Sequence, residues 1–171
     1  MTPVLLLVDA QKNMLLPPAP VPDAGTVGPL IEDLLKRARA AGAPVVHIRN
    51  SGGPDDPDLP GTPGWELVHD VTDSESIVDK HRSDAFLGTD LADHLPADAH
   101  VVLVGMQSEY CIRATALSAL QRRLPVTLVR GAHATYSDGE PAADISVRTE
   151  VELAEAGVTI ADPADVTFQR D

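Results

Sequence analysis

Cysteine is almost missing from the chain. Cys111 is the single one, so no disulfide can form within it, and a lone thiol fits a reducing compartment. Aromatic residues make up only 3%, which leaves few large flat side chains to wall a pocket. Basic residues are scarce as well: 13 Lys and Arg stand against 26 Asp and Glu, for a net charge of -13. Such a surface repels phosphate backbones, which argues against nucleic acid and anionic membrane and leaves a small molecule as the expected partner. There is no long apolar run either. Val4 to Val8 is cut off by Asp9 and has no basic residue before it; it is too short for a secretion signal or a membrane span, so a cytoplasmic location is expected. No glycine-rich loop follows this run, which speaks against nucleotide binding.

What the chain does contain is an alternation of strand and helix patterns. Val4–Val8 is continuously aliphatic, as suits a strand buried on both faces. Val27, Leu30, Ile31, Leu34, Leu35, Ala38 and Ala41 then recur with the 3.6-residue period of a helix, with Asp23 or Thr26 as its cap and Gly42 at its end. Further strands are predicted at Pro44–Ile48, Ser76–Asp79, His100–Val104, Pro125–Val129 and Val158–Ile160. Helices are predicted at Thr89–Leu95, at Ser108–Leu124 with Ser108 as N-cap, and at Ala142–Ala156 stopped by Gly157. Asn50–Pro63, dense in Gly, Pro and Asp, reads as a long loop of the functional kind. No repeat and no linker divides the chain. The expected fold is one domain over residues 1–171, an α/β class three-layer α/β/α structure with a mainly parallel sheet.

In such sheets functional groups collect beyond the carboxyl ends of the strands. Asp9 ends the first strand, Lys80 ends the Ser76–Asp79 strand, and Cys111 lies six residues past Gly105, in the first turn of the next helix. Each alone has an ordinary explanation: a turn aspartate, a surface lysine, a small buried thiol. Together they place an acid, a base and a nucleophile at one edge. The helix dipole and a nearby ammonium are both expected to favour thiolate at Cys111.

Five blocks carry a resemblance: Val8-Asp9-Ala10-Gln11-Lys12-Asn13-Met14, the stretch Asp79–Leu91 beginning Asp79-Lys80-His81-Arg82-Ser83, Gly105-Met106-Gln107-Ser108-Glu109-Tyr110-Cys111, His133-Ala134-Thr135-Tyr136, and the ending Ala161-Asp162-Pro163-Ala164-Asp165-Val166. In this order they resemble the isochorismatase-like cysteine hydrolases over nearly the whole chain. The resemblance implies a six-stranded sheet, a catalytic triad of Asp9, Lys80 and Cys111, and a cis peptide at Met106–Gln107. It implies an oxyanion hole from the backbone N–H groups of Gln107 and Cys111, and a homodimer or larger assembly. The implied reaction is hydrolysis of an amide or related C–N bond through a thioester. Met14, Trp65, Phe86, Tyr110, His133 and Tyr136 are the candidate pocket walls.

The metal-binding branch of that family carries an Asp-x-His pair where this chain reads His47-Ile48-Arg49-Asn50. No Cys or His cluster has zinc-ligand spacing, so neither metal nor other cofactor is expected. Two other readings stay open: vinyl-ether hydrolysis on the same fold, and a non-catalytic α/β binding module.

Overall fold

A computed structural model describes residues 1–170. Six strands form one sheet: β1 (Thr2–Val8), β2 (Val45–Asn50), β3 (Ser76–Lys80), β4 (Ala99–Met106), β5 (Val126–Ala134) and β6 (Thr159–Ala161). All pair in parallel, in the order β3-β2-β1-β4-β5-β6. The order reverses between β1 and β4, and there the loops leaving two neighbouring strands part to opposite sides and open a crevice.

β1 explains why the sheet is covered twice. Val4, Leu6 and Val8 point into one core with Leu103, Ile112, Ala116 and Leu153. Leu5 and Leu7 point into the other with Ile31, Leu34, Leu35 and Phe168. Successive side chains of a strand face opposite ways, so a run with no polar member needs cover on both sides. The helix α2 (Ala24–Ala40) covers the second face; α3 (Arg113–Gln121) and α4 (Ala142–Ala156) contribute to the first. The apolar stripe of α2 is the one read from its periodicity, and Val27, Ile31, Leu34, Leu35 and Ala38 are buried. Gly42, with φ +66°, adopts the left-handed conformation that closes a helix end without a Cβ penalty.

Three elements differ from expectation. The Ser108–Leu124 helix begins as a wide turn, Ser108–Ile112, in which Ile112 N–H reaches back to the Gln107 carbonyl at 3.1 Å; regular α-helix runs only over Arg113–Gln121. Ser108 does not cap it, because its side chain points away into the protein. Thr89–Leu95 holds a single tight turn, Leu91–His94. A one-turn helix, α1 (Lys12–Leu15), follows β1 directly.

β1 and β4 approach unusually closely at the crevice. Val8 is in register with Gly105, and a Cβ built on Gly105 would lie 1.9 Å from the Val8 carbonyl oxygen. With φ +123° as well, only glycine fits there. The Met106–Gln107 peptide bond that follows is cis, as is Pro17–Pro18. Among the described residues no helix is long and apolar enough to cross a membrane.

Candidate active site

The strand-end residues converge. Asp9 leaves β1 in the left-handed region at φ +52°, a conformation aspartate tolerates better than most residues. Lys80 closes β3 and reaches across the end of β2. Its Nζ lies 2.9 Å from Asp9 Oδ2 and 3.2 Å from Cys111 Sγ. Asp9 and Lys80 are buried, at 1% exposure each, while Cys111 is half-buried at the wall of a cleft.

The third partner of Lys80 was not among the residues singled out from the sequence. Lys80 Nζ donates to Asn50 Oδ1 at 3.0 Å. Asn50 ends β2, two residues past Ile48, where the sequence pattern stopped that strand, so the strand-end rule finds it only once the true end of β2 is known. Its side-chain amide is held by Asp58, with Asn50 Nδ2 donating to Asp58 Oδ2 at 2.6 Å, and its backbone by Gln11, with Asn50 N–H donating to Gln11 Oε1 at 2.8 Å. Gln11 in turn donates to the carbonyls of Asn50 and Trp65. This ties the long Asn50–Pro63 loop to the segment just beyond Asp9.

The electrostatics run against the sequence expectation at sulfur. Burial pushes the Cys111 thiol up to about 11, and the Asp9 carboxylate adds to this, while Lys80 opposes it. The dipole-and-ammonium argument omitted both burial and the carboxylate, so the resting group is a thiol. Burial also raises the Asp9 carboxyl, against the pull of Lys80 and of the Cys111 thiol. Burial works against charge on Lys80, but Asp9 and Cys111 outweigh it and hold the ammonium above its ordinary range. Asp9 Oδ1 is buried with no hydrogen-bond partner among the described residues. The result is a thiol beside a carboxylate that has spare capacity to accept its proton, with a fixed cation between them.

The pocket residues divide. A cleft of about 390 Å³ is lined by Asp9, Asn50, Cys111, Gln107, Met14 and Tyr110. A larger, mostly apolar cavity of about 660 Å³ adjoins it, sharing Met14 and Gln107 and bounded by Tyr136 and several prolines. Met14, Tyr110 and Tyr136 thus stand where a pocket wall was expected. The other three do not. Phe86 is packed in the core with the Arg122 guanidinium 4.5 Å from its ring centre. Trp65 lies under Arg49 at 3.5 Å, and its indole N–H donates to Ser51 Oγ at 3.1 Å, so it clamps the loop instead of facing the cleft. His133 is buried behind the Ser108 turn.

Among the described residues no three His, Cys, Asp or Glu side chains are grouped to hold a metal. At the cleft, Asn50 is fully engaged with Lys80 and Asp58, and the His81 ring is within 3.0 Å of the Ser51 carbonyl oxygen.

Comparison with known proteins places this geometry in context. A family model described as Isochorismatase domain matches residues 3–157. A streptothricin hydrolase of Streptomyces noursei is 42% identical over 177 aligned residues, spanning 96% of this chain and 70% of that protein. The crystal structure of N-carbamoylsarcosine amidase from Thermoplasma acidophilum superposes with a TM-score of 0.84 at 26% identity, covering 97% of this chain and 99% of the other. The pyrazinamidase of Pyrococcus horikoshii, solved in complex with zinc, superposes with a TM-score of 0.81 at 28% identity over 95% and 99% of the two chains.

Proposed function

The chain belongs to the isochorismatase family of hydrolases, and from that premise we propose that it hydrolyses a small-molecule amide or related C–N bond through a thioester on Cys111. The observation that carries this reading is the convergence of Asp9, Lys80 and Cys111 from three separate segments at the point where the strand order reverses.

The thiol proton passes to Asp9 as sulfur attacks the carbonyl carbon, because the raised thiol is not ionised beforehand. Lys80 stays charged and balances whichever of Asp9 and Cys111 carries the negative charge. The oxygen of the tetrahedral adduct faces the backbone N–H groups of Gln107 and Cys111, where one such donor contributes roughly 3 kcal/mol. Asp9 then gives its proton to the departing nitrogen. A water enters and loses a proton to Asp9 as it attacks the thioester. The acid leaves, and sulfur recovers its proton from Asp9.

The substrate is a small molecule, with no nucleic acid or membrane involved, and the working form is a cytoplasmic homodimer or larger assembly. Exposed Leu16 and Tyr110 near the cleft and Val147 and Val151 on α4 support assembly, and sedimentation tests it. Release of ammonia or amine from a panel of amides, including streptothricin because of the relative's name, tests the reaction. Turnover that disappears in Cys111→Ala supports the mechanism; full turnover in that variant overturns it. Release of pyruvate from isochorismate in place of ammonia from any amide would shift the reading to vinyl-ether hydrolysis.

A further inference from the structure

Ser108 and His133 take no part in the chemistry above, yet both are buried and polar. Ser108 immediately follows Gln107 and opens the turn that carries Cys111. Its hydroxyl is fully buried and lies 2.8 Å from His133 Nδ1 and 3.0 Å from Ser146 Oγ. His133 sits near the end of β5, where the β4–β5 register shifts so that it pairs with Gly105. Its other ring nitrogen, Nε2, lies 3.2 Å from Glu150 Oε1 on α4. Glu150 also accepts from Arg130 Nε at 3.2 Å, and Arg130 donates to Asp162 at 2.6 Å.

Hydrogen-bond direction along this chain follows from the charge at its outer end. The His133 contact and Arg130 hold the Glu150 carboxyl below its usual range, against the smaller effect of burial. Ionised Glu150 accepts from the Nε2–H tautomer of His133. That leaves Nδ1 as an acceptor, which the Ser108 hydroxyl satisfies as donor. Ser108 Oγ then accepts from Ser146. Each buried polar group is matched, and the orientation of Ser108 follows from groups on two other elements.

We propose that Ser108, His133 and Glu150 form a positioning relay that fixes the Gln107–Cys111 turn, and with it the two backbone donors to the oxyanion. The relay acts through the backbone. None of its side chains lines the catalytic cleft, and Ser108, fully covered, is not a second nucleophile. On the neighbouring residue, Glu109 Oε1 accepts from Thr135 Oγ1 at 2.8 Å, so the turn is fastened at two successive positions. His133, expected from the sequence to wall the pocket, acts from behind it. This inference rests on the oxyanion role given above to the Gln107 and Cys111 amides.

Two reagents at Cys111 separate positioning from general damage. Iodoacetamide alkylates sulfur by displacement at a saturated carbon and builds no charge on a carbonyl oxygen. Propionaldehyde adds to sulfur reversibly: an S–C bond forms, the C=O π bond opens, and the oxygen is left needing the same donors as the oxyanion. The measurement is protection of Cys111 by propionaldehyde against iodoacetamide in the full chain. In Ser108→Ala and His133→Ala the protection constant should weaken at least about tenfold, the scale set by losing part of an oxyanion donor. The alkylation rate without aldehyde should stay within about threefold of the parent, because thiol ionisation is set by Asp9, Lys80 and burial. Ser108→Thr, which keeps the hydroxyl, should restore protection. Should either alanine variant fail to fold, Ser108→Thr and Glu150→Gln carry the same comparison. Unchanged protection in Ser108→Ala, His133→Ala or Glu150→Gln, or equal losses in protection and alkylation, would overturn the relay while leaving the oxyanion reading in place. A parent enzyme that propionaldehyde does not protect at all would overturn both.

Discussion

Asp9, buried, and Glu75, half-buried with its carboxylate covered, are each held by a basic side chain, one just beyond β1 and the other just before β3. Glu75 accepts from Arg39 through both oxygens, at 2.6 and 2.9 Å, from Thr72 N–H at 3.1 Å, and lies 3.0 Å from His47 Nε2. Burial lowers the His47 imidazole against the opposing pull of Glu75, and its Nε2–H tautomer donates to Glu75. Burial alone would raise Glu75, yet these donors bring it down to about 2. Asp9 has Lys80 on one oxygen and, among the described residues, no partner within hydrogen-bond distance of the other, so burial outweighs Lys80 and the nearby Cys111 thiol and its carboxyl is raised. At Asp9 burial outweighs the single cation, whereas at the half-buried Glu75 the donors outweigh burial. A carboxylate supplied with donors on both oxygens is a fixed anion, whereas one left short of donors at the edge of a cleft can take up a proton. The first kind of site stabilises the fold, and the second costs stability that the reaction uses.

The sharpest way to break this contrast is to remove each carboxylate. Asp9→Asn should lower kcat by at least about a thousandfold, the range for losing a general base, and ammonia release under saturating substrate checks it. Glu75→Gln should leave kcat within about twofold of the parent. If Asp9→Asn retained a tenth or more of parental turnover, the comparison would collapse.

Stability should reverse the ranking. The double variant Asp9→Asn/Lys80→Met should be as stable as the parent or more so, since replacing a buried ion pair by neutral groups is often neutral or favourable by about 1 to 4 kcal/mol. Glu75→Gln should lose about 1 to 3 kcal/mol, because buried donors are left poorly matched. Urea denaturation of the two variants beside the parent decides the matter.

The pH dependence of that loss has a definite sign. Glu75 has a folded value of about 2 against an ordinary 4.5, so its contribution is complete above the ordinary value and is lost as pH falls towards the folded one. The stability gap between parent and Glu75→Gln should therefore be constant near neutrality and close as pH falls from 4.5 to about 2. A gap that persisted at the acid end would show that Glu75 acts through packing alone.

A last contrast lies at sulfur. With the thiol pushed up to about 11, the iodoacetamide rate should climb about tenfold per pH unit from pH 7 to 9 with no plateau, as a minor thiolate fraction grows. A rate already flat at pH 7 would mean that Lys80 dominates over burial and Asp9.

Much of the fold was legible because aliphatic runs and a 3.6-residue stripe are local signals: Val4–Val8 and Val27–Ala38 state their environment residue by residue. The convergence of Asp9, Lys80 and Cys111 was legible because a parallel sheet sends every strand exit to the same edge. Aromatic type, by contrast, does not tell which side of a segment faces a cavity, so Phe86 and Trp65 were placed at the pocket although one fills the core and the other clamps a loop. The wide turn at Ser108–Ile112 was not legible because its apolar spacing resembles the start of an ordinary helix. The thiol went the wrong way because its largest influence, burial, is a property of the folded neighbourhood and not of the residues next to it in the chain.

The seam between β1 and β4 sets the span across which the carboxylate and the sulfur face each other. With Val8 and Gly105 in register and no room for even one more carbon, Asp9 and the strand leading to Cys111 are pinned to adjoining rails. A methyl group added at Gly105 would wedge those rails apart and spread the reacting atoms without touching any of them. Adapting this scaffold to a new substrate therefore falls to the rim, around Met14, Tyr110 and Tyr136, where side chains can change size without altering the spacing beneath them.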